Sequence, residues 1–372
     1  MATRAMVGRV RVGPQEAARE FAEFSRKMMR GSELLSKVKD RDVQIATTPK
    51  TLVFQQDKVT LHHYQPTAKR AIATPVLIAY GLVGRYTMAD LQEDRSLIRN
   101  LLAQGVDVYV VDWGSATRGD RWLTLDDYID GYLNECVEFI CASRGIDKIS
   151  LLGICEGGVF TLIYSALHPE RIKNLILTIT PVDFHADTDS KRPSHGFINL
   201  WTRSMSGEDV DRLIEANGNL PGELMSVVFS MMTPLASLTK YNVGLYDVMD
   251  EEAKLLNFLR MEKWLKDRPH HPGEAAKQWL KELYQENRLV KGTFTIGGKT
   301  VDLKQLTMPV LNIYAQDDHI VPPSTSQALS KFVAPKKYSE LAFPGGHVGV
   351  FVSGKSQGII GKGVVDWLRA KS

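Results

Sequence analysis

The chain has 372 residues, 44% hydrophobic and 24% charged, an ordinary composition for a folded globular protein. Lys and Arg number 46 against 43 Asp and Glu, and a net charge of +3 is too balanced to suggest a nucleic-acid partner. Cys136, Cys141 and Cys155 are too few for a disulfide framework and point to a reducing compartment, while no stretch approaches the roughly 18 apolar residues of a membrane span. A cytoplasmic protein is therefore expected.

Residues 1–50 hold 11 Lys/Arg and 6 Asp/Glu, so the positive charge is concentrated there. Met1 to Pro14 is basic but has no apolar run, and a signal peptide is not expected. Residues 15–30 place Ala17, Phe21, Phe24 and Met28 on one helical stripe, with Arg19, Glu23, Arg26, Lys27 and Arg30 largely on other faces. Such a helix either packs on its own domain or offers a surface to a partner or an apolar particle.

Two short strands follow, Leu52–Gln55 and Val59–Tyr64, and then an alternation begins. Strands are predicted at Pro75–Tyr80, Asp107–Trp113, Lys148–Gly153 and Asn174–Thr180, with helices at Met88–Gln104, Thr124–Arg144 and Gly157–His168. Near-continuous apolar strands alternating with amphipathic helices imply a mostly parallel central sheet with helices on both faces, an α/β protein. From 184 to 305 the alternation stops and the pattern is largely helical, with Trp201, Trp264 and Trp279. Strands resume at Pro309–Ala315 and Tyr338–Phe343. The expected organisation is an N-terminal helical segment (1–50), a core of 51–183 and 306–372, and a helical cap (184–305) inserted after the sixth strand.

The central motif is Gly153-Ile154-Cys155-Glu156-Gly157-Gly158, with a strand feeding in and a helix leaving. This is the nucleophile-elbow pattern with Cys in place of Ser. The nucleophile sits on a strained turn, and residues two before and two after it approach too closely to carry side chains. The turn also puts Cys155 at a helix N-terminus, which favours a thiolate. A nucleophile needs a base, and the base an orienting group. After the strand PVLNIYA stand Asp317 and Asp318, and after YSELAF stands Pro344-Gly345-Gly346-His347. Both groups fall at the carboxyl edge of the sheet, where such folds build active sites. His347 is the expected base, and only one of the adjacent aspartates can meet it. His319 is expected to be structural. Oxyanion donors are expected from the backbone N–H of Glu156 and, in the loop Gly81-Leu82-Val83-Gly84-Arg85, of Val83.

Other candidates fail. Residues 292–300 lack the first glycine of a P-loop and read as a hairpin. His62-His63 and His270-His271 are poorly spaced to share a metal, and no metal or separate cofactor is expected. Cys136 and Cys141 lie on different faces of a predicted helix and read as inert buried thiols.

At these residues the chain resembles the polyhydroxyalkanoate (PHA) synthases, specifically the short class III catalytic subunit, which have the α/β-hydrolase fold. The resemblance runs from about residue 75 to the C-terminus and rests on GLVGRYTMADLQEDRSLI (81–98), ISLLGICEGG (149–158), VLNIYAQDDHIVPP (310–323) and ELAFPGGHVGVFVSGKSQ (340–357). It favours Asp318 over Asp317 as the acid. It implies polymerisation of (R)-3-hydroxyacyl-coenzyme A, with 3-hydroxybutyryl-CoA as the expected substrate, into a polyester with release of CoA. It also implies a second, largely helical subunit, a homodimer, and attachment to polyester granules. The family usually has Asn, and often Pro, after the loop valine, where this chain has Gly84 and, two further, Tyr86. Residues 1–50 and 185–200 are expected to be idiosyncratic. The rival readings are a cysteine-dependent ester or lactone hydrolase of the same fold and a catalytically silent granule-binding protein.

Overall fold

The computed structural model describes residues 13–186, 196–232 and 238–371. The basic stretch up to residue 12 and most of the idiosyncratic segment, 187–195, lie outside the described residues. The chain divides into two compact units, Met1–Gln44 with Thr233–Lys263, and Ile45–Met232 with Trp264–Ser372. The expected cap is thus distributed over both units, and the expected core lies in the second.

In the first unit, helix α1 (Pro14–Lys37) packs through polar and close contacts rather than through its whole apolar stripe. Gly31 lies so close to the Met249 side chain that any Cβ there would collide with it. Lys27 pairs with Asp250 at 3.2 Å, and Phe24 stacks on Tyr246 with ring centroids 5.4 Å apart. Phe21 and Met29 remain exposed.

The second unit is built on an eight-stranded sheet. Its strands are β1 (Thr51–Gln56), β2 (Val59–Tyr64), β3 (Val76–Ala79), β4 (Val108–Asp112), β5 (Ile149–Ile154), β6 (Ile172–Thr178), β7 (Val310–Ala315) and β8 (Tyr338–Phe343). They lie in the order β1-β2-β4-β3-β5-β6-β7-β8. The β1–β2 and β2–β4 pairs are antiparallel and all the others parallel. Every residue of β3 and β5 is buried, which is why both read as near-continuous apolar runs, broken in β5 by the buried Ser150.

Two predicted elements took a different local form. Met88 and Ala89 end a short 3-10 helix (Tyr86–Ala89), residues 90–96 are not helical, and the α-helix is confined to α2 (Leu97–Ala103). Asp90 is buried and its carboxylate accepts from Thr48 N–H (3.1 Å), Thr48 Oγ1 (2.7 Å) and Ser96 Oγ (2.6 Å). A short β-bridge forms between 90–92 and 95–96, and Ser96 then caps α2 by accepting from Arg99 N–H. The helix predicted from Thr124 is present, but Asp127–Leu133 is wound as a π-helix before α3 (Asn134–Arg144), which Gly145 closes at φ 61°.

The P-loop-like stretch is a hairpin, Thr295–Ile296 against Lys299–Thr300, with Gly297 and Gly298 both at positive φ. The helical insertion within this unit packs on the helix that follows β5. Trp279 meets Phe160, Phe184 and Tyr284 edge-on at 5.7–6.3 Å, and Phe160 lies on α4 (Glu156–Leu167), the helix that follows β5. Losing that indole would cost roughly 3–5 kcal/mol by the usual scale for a buried aromatic.

Candidate active site

The turn from β5 into α4 holds Cys155 at φ 55°, ψ −120°, a conformation costly for a residue with a Cβ. Two contacts enforce it. Cys155 N–H donates to the Thr178 carbonyl on β6 (2.9 Å), and the Cys155 carbonyl accepts from Gly158 N–H (3.0 Å). The flanking glycines are sterically required. A Cβ on Gly153 would run into Thr161 and Gly158, and one on Gly157 into the backbone of Ala79 and Tyr80 on the β3 side. The half-buried cysteine is thereby raised above the sheet edge at the N-terminus of α4.

Acid and base arrive from the two strands at the far edge. β7 and β8 run parallel with Ala315 opposite Phe343. Beyond them the chains stay tied, Gln316 N–H to the Phe343 carbonyl and Asp317 N–H to the Gly345 carbonyl, both at 2.9 Å. Gly345, at φ 152°, makes the bend that brings His347 back. Asp318 is fully buried. Its Oδ1 accepts from the N–H groups of Ile320 (2.9 Å) and Val321 (2.8 Å), and its Oδ2 lies 2.7 Å from His347 Nδ1. The neighbouring Asp317 is exposed. Of the two candidate acids, the structure brings Asp318 to His347.

Burial alone would lower the basicity of His347. The Asp318 carboxylate, hydrogen-bonded to the ring, and the nearby Cys155 sulfur outweigh it and raise its pKa to about 10. The imidazole is therefore placed between the Cys155 sulfur and a buried carboxylate. Cys136 and Cys141 are buried away from such partners. Burial pushes the Cys136 thiol up to about 12 and raises that of Cys141 as well.

The oxyanion side differs from expectation. Glu156 N–H belongs to the first turn of α4, where backbone donors have no intrahelical acceptor. Val83 N–H, however, is not open to a ligand here. It donates to Glu156 Oε2 at 3.0 Å, and Leu82 N–H donates to the same oxygen at 2.6 Å. The physical reason is that the Glu156 carboxylate is completely buried and must be satisfied internally. Its other oxygen lies 2.7 Å from His271 Nε2, also buried.

Arg268 holds the same loop from the other side, donating through Nη1 to the Val83 carbonyl at 2.8 Å and through Nε to Ser226 Oγ at 3.1 Å. Burial lowers the Arg268 pKa, and the fields of Tyr80 and Cys155 oppose that, so a cation lies within electrostatic reach of the sulfur. The sequence reading missed His271 and Arg268. A glutamate inside a buried elbow signals that a partner exists, but nothing in local spacing says which remote residue it is.

The chain is similar to known proteins along nearly its whole length. Residues 74–353 match the family model of the alpha/beta hydrolase fold, and residues 18–101 that of the poly-beta-hydroxybutyrate polymerase (PhaC) N-terminus. The poly(3-hydroxyalkanoate) polymerase subunit PhaC of Synechocystis sp. is 45% identical over 358 residues, 96% of this chain and 94% of that one. The subunit of the same name from Allochromatium vinosum is 42% identical over 362 residues, 97% and 99% of the respective chains. Among solved structures, a carboxylesterase of the thaumarchaeon Nitrososphaera gargenis aligns with a TM-score of 0.50 at 16% identity, over 87% of this chain and 100% of that one, a likeness of fold.

Proposed function

We propose that this chain, which belongs to the poly(3-hydroxyalkanoate) polymerase (PhaC) family and is an acyltransferase that polymerises hydroxyacyl-CoA, carries the growing ester on Cys155 and moves protons through His347, oriented by Asp318. The observation that carries this reading is the position of His347, with Nδ1 2.7 Å from Asp318 Oδ2 and its ring within electrostatic reach of the Cys155 sulfur.

The cycle follows from the charges. The Cys155 thiolate attacks the thioester carbonyl, the bond from that carbon to the CoA sulfur breaks, and the departing CoA thiolate takes the proton from His347. One thiol ester replaces another, so the step is close to thermoneutral. Acylation also removes the negative sulfur that helps hold the His347 proton. The imidazole left behind is neutral, still fixed by Asp318, and ready to act as a base. An incoming 3-hydroxyl then attacks the Cys155 thioester and gives its proton to His347. The carbon–sulfur bond breaks and the thiolate–imidazolium pair is restored. Family membership favours this acyl transfer to an alcohol over the rival hydrolase and silent binding readings.

The substrate is proposed to be (R)-3-hydroxybutyryl-CoA, whose CoA part leaves with each addition. A second, largely helical subunit is a natural partner, since the relatives named above are each a subunit. A homodimer and a place on the granule surface complete the reading. Among the described residues no helix is long and apolar enough to cross a membrane, so attachment would be through the insoluble product itself. The segment 184–305 is proposed to control access, as a cap of short helices broken by Pro and Gly. Hydrogen exchange there should exceed that of the sheet and change with substrate, and uniformly slow, unchanging exchange would remove the cap from the scheme.

The test of the central reading is incubation with (R)-3-hydroxybutyryl-CoA. Turbid polymer, free CoA thiol and an acyl mass on Cys155 after acid quench are expected. Free hydroxy acid in clear solution, or an acyl group elsewhere, would overturn it.

A further inference from the structure

Glu156 follows the proposed nucleophile directly, yet its acid side chain is fully buried. A carboxylate in that position is tolerable only with good partners. It has three, and they come from two remote segments. Leu82 and Val83 N–H, in the loop after β3, share Oε2 at 2.6 and 3.0 Å, and His271 Nε2 meets Oε1 at 2.7 Å. His271 is itself fixed, exchanging backbone hydrogen bonds with Leu220 in both directions at 2.9–3.0 Å. The loop also has no room to move closer, because a Cβ on Gly81 would strike the Glu156 side chain. The Val83 peptide is held on its carbonyl side too, by Arg268 at 2.8 Å, from the same 268–271 segment as His271.

We propose that the Glu156 side chain, paired with His271, is a positioning group for the oxyanion loop: it holds the Val83 N–H in place and releases it to the acyl oxygen when the thioester is attacked. The hydrogen-bond count permits this. When Val83 N–H turns to the developing oxyanion, the carboxylate keeps Leu82 N–H on one oxygen and His271 on the other, so no buried charge is stranded. The inference rests on the reading of Cys155 as the acylated nucleophile.

The experiment compares two reactions of the same sulfur in the full-length protein. Acylation by (R)-3-hydroxybutyryl-CoA passes through an oxyanion, whereas alkylation by iodoacetamide displaces iodide at a saturated carbon and forms none. Single-turnover acylation is measured by mass after acid quench, per site counted by alkylation of Cys155. In Glu156→Gln and in His271→Gln, acylation should slow by about 10–100-fold, below the loss from deleting an oxyanion donor outright, while alkylation stays within about twofold of wild type. The double variant restores a neutral amide pair with the same hydrogen bonds, and should recover acylation to within about threefold. Equal acylation in wild type and single variants would overturn the inference, as would equal losses in acylation and alkylation. Should neither single variant accumulate as folded protein while the double variant folds and acylates normally, the pair belongs to stability and the positioning role is lost. If wild type itself places no acyl group on Cys155, the reading of the active site fails first, and that result is distinct from all the others.

Discussion

The two sides of the proposed catalytic centre are assembled from different ranges of the chain. On the acid–base side, Asp318 and His347 lie just beyond two neighbouring parallel strands, and backbone bonds between Gln316 and Phe343 and between Asp317 and Gly345 bring them together. On the oxyanion side, the loop after β3 is held by Glu156, and Glu156 by His271, more than a hundred residues away. The first side is set by sheet register and the second by tertiary packing of the inserted segment. Substitutions should therefore separate them, with losses on the acid–base side falling on chemistry and losses on the oxyanion side depending on which remote partner remains.

The largest effect should come from the sulfur that both sides serve. Cys155→Ala is expected to reduce polymer formation and CoA release to background, whereas Cys136→Ala or Cys141→Ala should leave turnover largely intact, as read by thiol release. Turnover surviving in Cys155→Ala would dissolve the comparison, since neither side would then face the reacting atom. Next comes the base. His347→Gln should slow both acylation and elongation, by roughly 10²–10⁴-fold for the proton-transfer step, in a quench assay that counts bound acyl groups against free thiol. Smaller still is the effect of the acid. Asp318→Asn should still label Cys155 but elongate slowly, because a thiolate needs little help while an alcohol proton leaves only as the new bond forms. Asp317→Asn should elongate normally, and a slow Asp317→Asn enzyme would move the acid one residue.

The smallest effect is on stability. The His347 pKa is raised from the ordinary histidine value of about 6.5 to about 10, so its stabilisation of the folded state is complete below the former and disappears as pH rises through the latter. The melting-temperature gap between wild type and His347→Gln should accordingly narrow from pH 6.5 to pH 9.5. A gap that widened would mean that His347 is held neutral in the resting protein.

The same contrast explains what could be read in advance. Gly153, Cys155 and Gly157 were legible because their spacing is dictated by one turn, and His347 because it follows a strand and two glycines. The mostly parallel sheet followed from the alternation of apolar runs and helices. Choosing Asp318 over Asp317 took family resemblance, and the buried Asp318 beside the exposed Asp317 gives the physical ground for it. The bond from Val83 N–H to the Glu156 side chain was not legible, because Glu156 was read only for its backbone. His271 was weighed only as half of an implausible metal pair. Residues 88–96 were taken as helix because their apolar spacing allows it, and Asp90 overrides that spacing through its bonds to Thr48 and Ser96.

The ties between the loops after β7 and β8 have a mechanical consequence. Adjacent strands in any sheet stand about 4.8 Å apart, a spacing fixed by the backbone and nearly indifferent to what is built around it. Acid and base are mounted on that lattice a few residues past its edge, so their separation is as stiff as the sheet. The separation of Asp318 and His347 is therefore set by the sheet and not by the 184–305 segment.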